Sequence, residues 1–379
     1  MSDAAVQAEL MALLAELCQI PSPSRNERAV ADVISARFRT LGATVREDDA
    51  ATGVNGNAGN LIAELSGSKL GPDGRPQRIV LCAHMDTVPL VEGEPLLAVA
   101  EGTVLRSTGR QILGSDDKAG VAIILVLMRR LAALPAAERP TIVAAITICE
   151  ELGLKGAHAL DVGALRGDFG YCFDGEVPVG ELIAGAVYKE SLKITVRGRR
   201  AHAALEPELG VHAILAASEV VRSFPLGRVA DDQVANIGSV QGGGASNVVP
   251  DQVVLLGEAR AFSEARLEQL VDRIRAGADA AVSPLGASFE LERTRLYDGY
   301  DLAESSEPFR RLVQTAPRHG IEPRKVISIG GSDTNVLNQK GLPTVNVGMS
   351  MHEIHGVREW IDTADLARVV LWVEDALLA

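Results

Sequence analysis

Four short apolar runs in this 379-residue sequence end on residues that can bind cations or move protons. RIVLCAH runs into His84-Met85-Asp86, TIVAAITIC into Glu150-Glu151, and GYCF into Asp174. The segment Thr344–Val347 leads to His352 and His355. An ordinary loop carries Gly, Pro, Asn and Ser at such places. Between these runs, Gly114-Ser115-Asp116-Asp117-Lys118-Ala119-Gly120 stands just ahead of a helical stretch. Each residue alone has a plain structural explanation. An Asp at a helix start caps the helix and offsets its dipole, a glutamate pair sits in a solvated loop, and a single His lodges at the edge of a core. The whole set is harder to explain that way. His, Asp and Glu without cysteine suit paired divalent cations such as zinc, cobalt or manganese. In hydrolytic two-metal sites one carboxylate can bridge ions roughly 3.5–4 Å apart. Each ion lowers the pKa of bound water toward about 7. A further carboxylate must take the proton from that water, and a ligating imidazole needs its other nitrogen held by a carboxylate or carbonyl.

These residues must be positioned by strands that alternate with helices. Arg78–His84, Thr141–Cys149 and Gly170–Asp174 read as short strands, and Gly120–Leu131 has helical length. Such alternation predicts an α/β domain with a mixed, largely parallel sheet and helices on both faces. The pattern changes near Val187. Leu192, Ile194 and Val196 alternate on one strand face. A helix follows with Ile214, Ala217, Val221 and Phe224 on one stripe, then strands near Val234–Val240 and Val253–Arg260. A second helix carries Leu267, Leu270, Val271 and Ile274, with Ser263 as N-cap, and a last strand alternates Ala287, Phe289 and Leu291. The order βαββαβ is the ferredoxin-like arrangement. After Tyr300 the α/β rhythm resumes, with a helix over Glu307–Thr315, strands over Lys325–Ile329 and Thr344–Val347, and a final helix from Thr363. One α/β domain, 1–186 and 297–379, interrupted by an inserted domain, 187–296, is the economical organisation.

Composition narrows the partners. With 37 Lys+Arg against 50 Asp+Glu the formal net charge is −13, which argues against nucleic acid or an anionic membrane. Aromatics at 3% leave few surfaces for stacking bases. The longest apolar run, Ala119–Met128, is too short for a membrane span. The N-terminal MSDAAVQAELMALLAEL lacks a basic leader and reads as an amphipathic helix. Cys18, Cys82, Cys149 and Cys172 lack CxxC spacing and read as buried thiols in a reducing cytoplasm. The triple glycine at Gly242–Gly244 is a permissive turn rather than a P-loop, since no GK[ST] follows.

The motifs LCAHMDTVP, GSDDKAG, CEELGLKGA, FDGE, GRRAHAALEPELGVHAI and HEIHGVREW together resemble the M20 family of metallopeptidases, in particular its peptidase T-like (tripeptide aminopeptidase-like) branch. The resemblance covers nearly the whole chain. It implies that His84 and Asp174 bind one metal, that Asp116 rather than Asp117 bridges two, and that Glu151 and His355 hold the second. It implies Asp86 as the residue orienting His84, and Glu150 as the general base. His355 is the terminal-motif histidine because Glu359 follows it by four positions. His352-Glu353-Ile354-His355 is one residue short of HExxH, whose histidines stand one helical turn apart.

In the inserted domain, the resemblance implies that His202 of GRRAHAA stabilises the oxyanion, and that Asn247 and Arg260 hold substrate. Ser332 and Asp333 of GGSDTN would line the substrate pocket, although a turn leading into a helix explains that loop as well. The implied activity is hydrolysis of short peptides with two zinc ions (cobalt or manganese being the alternatives), of the tripeptide aminopeptidase type, in a homodimer formed through the lid. An N-acyl amino acid deacylase or a carboxypeptidase would share the same metal chemistry. A binding module that has lost its metals would also have lost several ligands.

Overall fold

Thr141–Thr147 is buried along its whole length, and Arg78–His84 at all but its first residue. Strands covered on both faces belong at the centre of a parallel sheet. The computed structural model, which describes residues 3–71 and 73–379, places them there. The strands Thr44–Glu47, Leu61–Leu65, Thr141–Thr147, Arg78–His84, Phe169–Gly175, Thr344–Gly348 and Glu181–Ala186 are neighbours in that order within a nine-stranded sheet. The four from Thr141–Thr147 to Thr344–Gly348 are parallel, and the flanking pairs are antiparallel. The fold class expected from the sequence is the one observed.

Register aligns the strand exits. His84 faces Thr147, Cys82 faces Cys172, and Asn346 faces the same Cys172. The carboxyl ends of all four parallel strands therefore leave the sheet along one edge, where α/β sheets bind ligands.

The helix Ser115–Ala132 packs on Arg78–His84 and Phe169–Gly175 beneath the helices Asp3–Cys18 and Thr363–Leu378. Every residue from Ala119 to Met128 is buried, so the run has no polar face. Each fully buried Leu, Ile or Val contributes roughly 1.5–3 kcal/mol. Asp116 and Asp117 depart from helical dihedrals, so regular helix begins at Lys118. Lys118 is itself buried, and its Nζ donates to the Ile20 carbonyl at 2.7 Å.

The chain folds into two compact units. One comprises residues up to Gly185 with Asp301–Ile327 and Ser332–Ala379, and the other comprises Ala186–Tyr300 with Ser328–Gly331. In the second unit Gln233–Gly242, Gln252–Ala261, Tyr188–Arg197 and Ser288–Tyr297 form an antiparallel sheet in that order, with the short Gly227–Ala230 outside the first. The helices Ala213–Ser223 and Glu264–Val282 pack on it. Leu192, Ile194, Val196, Val253 and Leu255 meet Leu267, Leu270 and Ile274 in this unit's own core. This is the ferredoxin-like order. Ser263 caps the second helix by accepting from Arg266 N, as its position predicts. Among the described residues, no helix is long and apolar enough to cross a membrane.

Candidate metal centre

His84 ends its strand and is 2% exposed. Its Nδ1 lies 3.0 Å from the Asp86 carbonyl oxygen and 3.4 Å from Asp86 Oδ1. That contact assigns the Nδ1 proton and turns Nε2 toward the carboxylates. His84 Nε2 is 3.2 Å from Asp116 Oδ1 and 3.8 Å from Asp174 Oδ1. His355 Nε2 is 3.1 Å from Asp116 Oδ2 and 2.9 Å from Glu151 Oε1. The two oxygens of Asp116 are thus divided between two imidazoles, each with a second carboxylate beside it. One ligand atom each from His84, Asp116 and Glu151 lies within 4.8 Å of the others, and the same holds for His84, Asp117 and Asp174.

The electrostatics of this cluster call for cations. Burial alone would lower the His84 imidazole, but Asp116, Asp86, Asp174 and Glu150 carry it well above its usual value. Asp116 and Glu151 raise His355 to about 10. Burial would raise Asp116, but the two histidines hold it below the usual carboxylate range. Asp174 is pushed well up by burial and by Asp117, Glu150 and Asp116, against the pull of His84. The surrounding carboxylates thus favour positive charge at both imidazoles. Glu151 Oε1 is buried and accepts no hydrogen bond, despite His355 standing 2.9 Å away. A buried acceptor facing a ring nitrogen at that distance is the arrangement an intervening ion would satisfy. The nitrogen and oxygen donor set fits zinc, cobalt or manganese.

A model of peptidase family M20/M25/M40 matches residues 80–379. The chain belongs to the M20 peptidase family. An uncharacterized Bacillus subtilis protein, YqjE, is 34% identical over 367 residues, 95% of this chain and 96% of that protein. The crystal structure of aminopeptidase PepT from Bacillus cereus is 33% identical with a TM-score of 0.86, covering 98% of both chains. That of a Staphylococcus aureus tripeptidase is 30% identical with a TM-score of 0.89, covering 98% of this chain and 97% of that one. This M20 protein is a metallopeptidase of peptidase T-like kind.

The candidate site is held by carboxylates that touch backbone. Asp86 accepts from Glu150 N at 2.9 Å, Glu151 N at 3.3 Å and Ser24 Oγ at 2.6 Å. Asp117 accepts from His84 N at 3.1 Å and Gly120 N at 3.0 Å, so it ties the helix start to the strand end. Glu359 is 1% exposed and accepts from four successive backbone N–H groups: Leu113 and Gly114 at 2.8 Å, Ser115 at 2.7 Å and Asp116 at 3.1 Å. The Ser115 hydroxyl adds a fifth bond at 2.6 Å. From the sequence Glu359 is only a companion four residues after His355. Its signal was an acidic residue beside the apolar Trp360-Ile361. Glu359→Ala should leave those N–H groups buried and unpaired, release the Asp116 loop and weaken metal affinity about 10- to 100-fold. Titration of metal-free protein with zinc, read by calorimetry, checks this. Unchanged affinity would mean the loop holds Asp116 unaided.

The HEIH segment is no zincin helix. Ser350, Glu353 and His355 all have left-handed backbones, with φ of 56°, 52° and 62°. His352 stacks on Trp360 with ring centroids 3.8 Å apart, and Glu353 pairs with Arg358 at 3.0 Å. Only His355 turns toward Asp116.

Two residues expected at the substrate pocket are largely enclosed. Ser332 is 8% exposed and shares a capping box with Asn335, and Asp333 is 1% exposed with Oδ2 accepting from Thr147 Oγ1. The turn leading into a helix, weighed for this loop alongside a pocket lining, is present here. Ser332 caps the helix Asp333–Gln339 and reaches Asn346, whose Oδ1 accepts from Asp174 N at 3.0 Å. They therefore support strand ends from behind. In the second unit, His202 is exposed on the pair Ala201–His202 with Val248–Val249. Its Nδ1 accepts from Ala204 N at 3.2 Å and Leu205 N at 3.1 Å, which assigns the remaining proton to Nε2. Asn247 adjoins it, its carbonyl accepting from Ala203 N at 3.0 Å. The Arg260 guanidinium is held by Glu258 at 2.9 and 3.2 Å and by the Ile329 carbonyl at 2.9 Å.

Proposed function

We propose that this M20 metallopeptidase removes the N-terminal residue of short peptides, tripeptides above all, using two divalent ions, zinc foremost, held by His84, Asp116, Glu151, Asp174 and His355. The observation that carries the reading is the division of the Asp116 oxygens between His84 and His355. When bound, the ions polarise the scissile carbonyl and make water acidic enough to attack. Glu150 takes the water proton and delivers it to the leaving nitrogen. Burial pushes its carboxyl well above the usual value, with the charges of Asp333, Glu151 and Asp86 adding to the push against His84. A carboxyl raised in this way can hold the proton between the two transfers. Asp86 keeps the His84 ring turned, and Glu359 keeps Asp116 in reach of both histidines.

His202 Nε2–H serves as donor to the oxyanion, and Asn247 and Arg260 hold the substrate. The chain works as a homodimer through the second unit, in the cytoplasm, where its four buried thiols stay unbridged. The aminopeptidase and tripeptidase names of its structural relatives support the substrate class.

The test is a panel of tripeptides, dipeptides, N-acyl amino acids and C-terminally blocked peptides, run on protein whose mass is read by light scattering. The expected outcome is fastest release of the first residue from tripeptides. Preference for N-acyl amino acids would make the enzyme a deacylase. Release of the last residue would make it a carboxypeptidase.

A further inference from the structure

Glu27 directly precedes the helix Arg28–Thr40, yet its side chain does not cap that helix. It is 0% exposed and turned inward. Its Oε1 accepts from Arg25 N at 2.9 Å, from Cys149 N at 3.2 Å and from the Cys149 thiol at 3.3 Å. Both residues whose N–H it holds have left-handed backbones, Arg25 at φ 77° and Cys149 at φ 50°. A residue with a side chain is strained there and stays only where its surroundings hold it.

At Cys149 that turn takes the chain out of Thr141–Thr147 into the turn Glu150–Leu152. Asp86 then takes the N–H groups of Glu150 and Glu151. Three successive N–H groups are held by two carboxylates from distant parts of the chain. The other Glu27 oxygen, Oε2, is buried without a hydrogen-bond partner. A glutamate serving only to fill space would be replaced at a gain by an apolar side chain, because an orphaned buried oxygen destabilises the fold. What the carboxylate does here is therefore read from the bonds made by Oε1.

We propose that Glu27 is a positioning residue of the hydrolytic site: by holding Cys149 in its left-handed turn it sets the direction in which the adjoining Glu150 leaves the backbone, while Asp86 holds Glu151. This rests on the reading above, in which Glu150 handles the proton. Glu27 acts through the peptide of Cys149 and touches neither substrate nor ion.

The test uses the full chain, metal-loaded and metal-free, with Glu27→Leu and Glu27→Gln, and Glu150→Ala as reference. Glu27→Leu should lower kcat by about 30-fold, with KM within about twofold and metal content unchanged. Glu27→Gln keeps an accepting oxygen and should restore kcat to within about fivefold of wild type. In metal-free Glu27→Leu, amide hydrogen exchange over residues 148–152 should quicken at least about tenfold while the rest of the chain is unaltered. Wild-type kcat in a folded Glu27→Leu, or a loss that only follows lost metal, overturns the proposal. If Glu27→Leu fails to fold, Glu27→Asp draws the carboxylate back by one methylene and carries the same test. Lowered kcat at constant KM supports positioning, and wild-type kcat overturns it. If the wild-type protein hydrolyses no peptide with metal bound, the functional reading has failed, and the exchange experiment alone decides whether Glu27 holds Cys149.

Discussion

Glu150→Ala should lower kcat by about 10³-fold, inside the roughly 10²–10⁴ range for general acid–base catalysis, while KM and metal content stay near wild type. Glu150 follows the turn at Cys149, and among the described residues no ion pair holds its carboxylate. Its backbone is fixed by Asp86, and burial raises its carboxyl. Its methylenes and charge are therefore dispensable to the proposed ligand set, whose atoms come from other residues. Steady-state kinetics with metal analysis on one preparation check the point. A variant that keeps kcat within tenfold of wild type would move the proton-transfer role to another group.

Removal of the ions has the other large effect. Chelation should abolish turnover, zinc or cobalt should restore it, and full activity in verified metal-free protein would refute a metal mechanism. Stability should change as well, with a predictable sign. In metal-free protein the His84 and His355 imidazoles are raised, the latter to about 10, and the Asp174 and Glu150 carboxyls are raised by burial. Each binds its proton more tightly folded than unfolded. The histidine contribution is complete below about pH 6.5 and is lost as pH rises through the folded value. The carboxyl groups penalise folding increasingly above their unfolded values, near pH 4. Asp116, held low, acts in the opposite sense only in strong acid. Metal-free protein should therefore melt at least about 3 °C lower at pH 8.5 than at pH 6. Zinc should reverse the trend, because its ligands bind as deprotonated groups. Scanning calorimetry at the two pH values reads both effects, and a metal-free protein more stable at pH 8.5 would show that the cluster is not short of positive charge.

Much of this was legible along the chain because it is local. The apolar runs ending at His84, Cys149 and Asp174 carry their own period and length, so strands and fold class follow from short-range pattern. The βαββαβ unit is legible for the same reason, down to the Ser263 cap. The types of residue at the strand exits identify cation chemistry before any coordinate is known.

Choices among neighbours came from the family motifs, and only the fold supplies their physical reason. Asp116 and Asp117 are adjacent, and what separates them is that Asp117 spends its oxygens on the N–H groups of His84 and Gly120. His352 and His355 differ because one stacks on Trp360 and the other lies on a left-handed turn toward Asp116. Ser332 and Asp333 stand at a turn leading into a helix, where a capping box and Thr147 engage them. Glu359 and Glu27 are buried acceptors in the fold, a fate that nothing local to either residue dictates. A sequence determines which groups are available and which face of an element they occupy. Which buried donors each carboxylate must satisfy depends on segments a hundred or more residues away, and only packing the chain decides that.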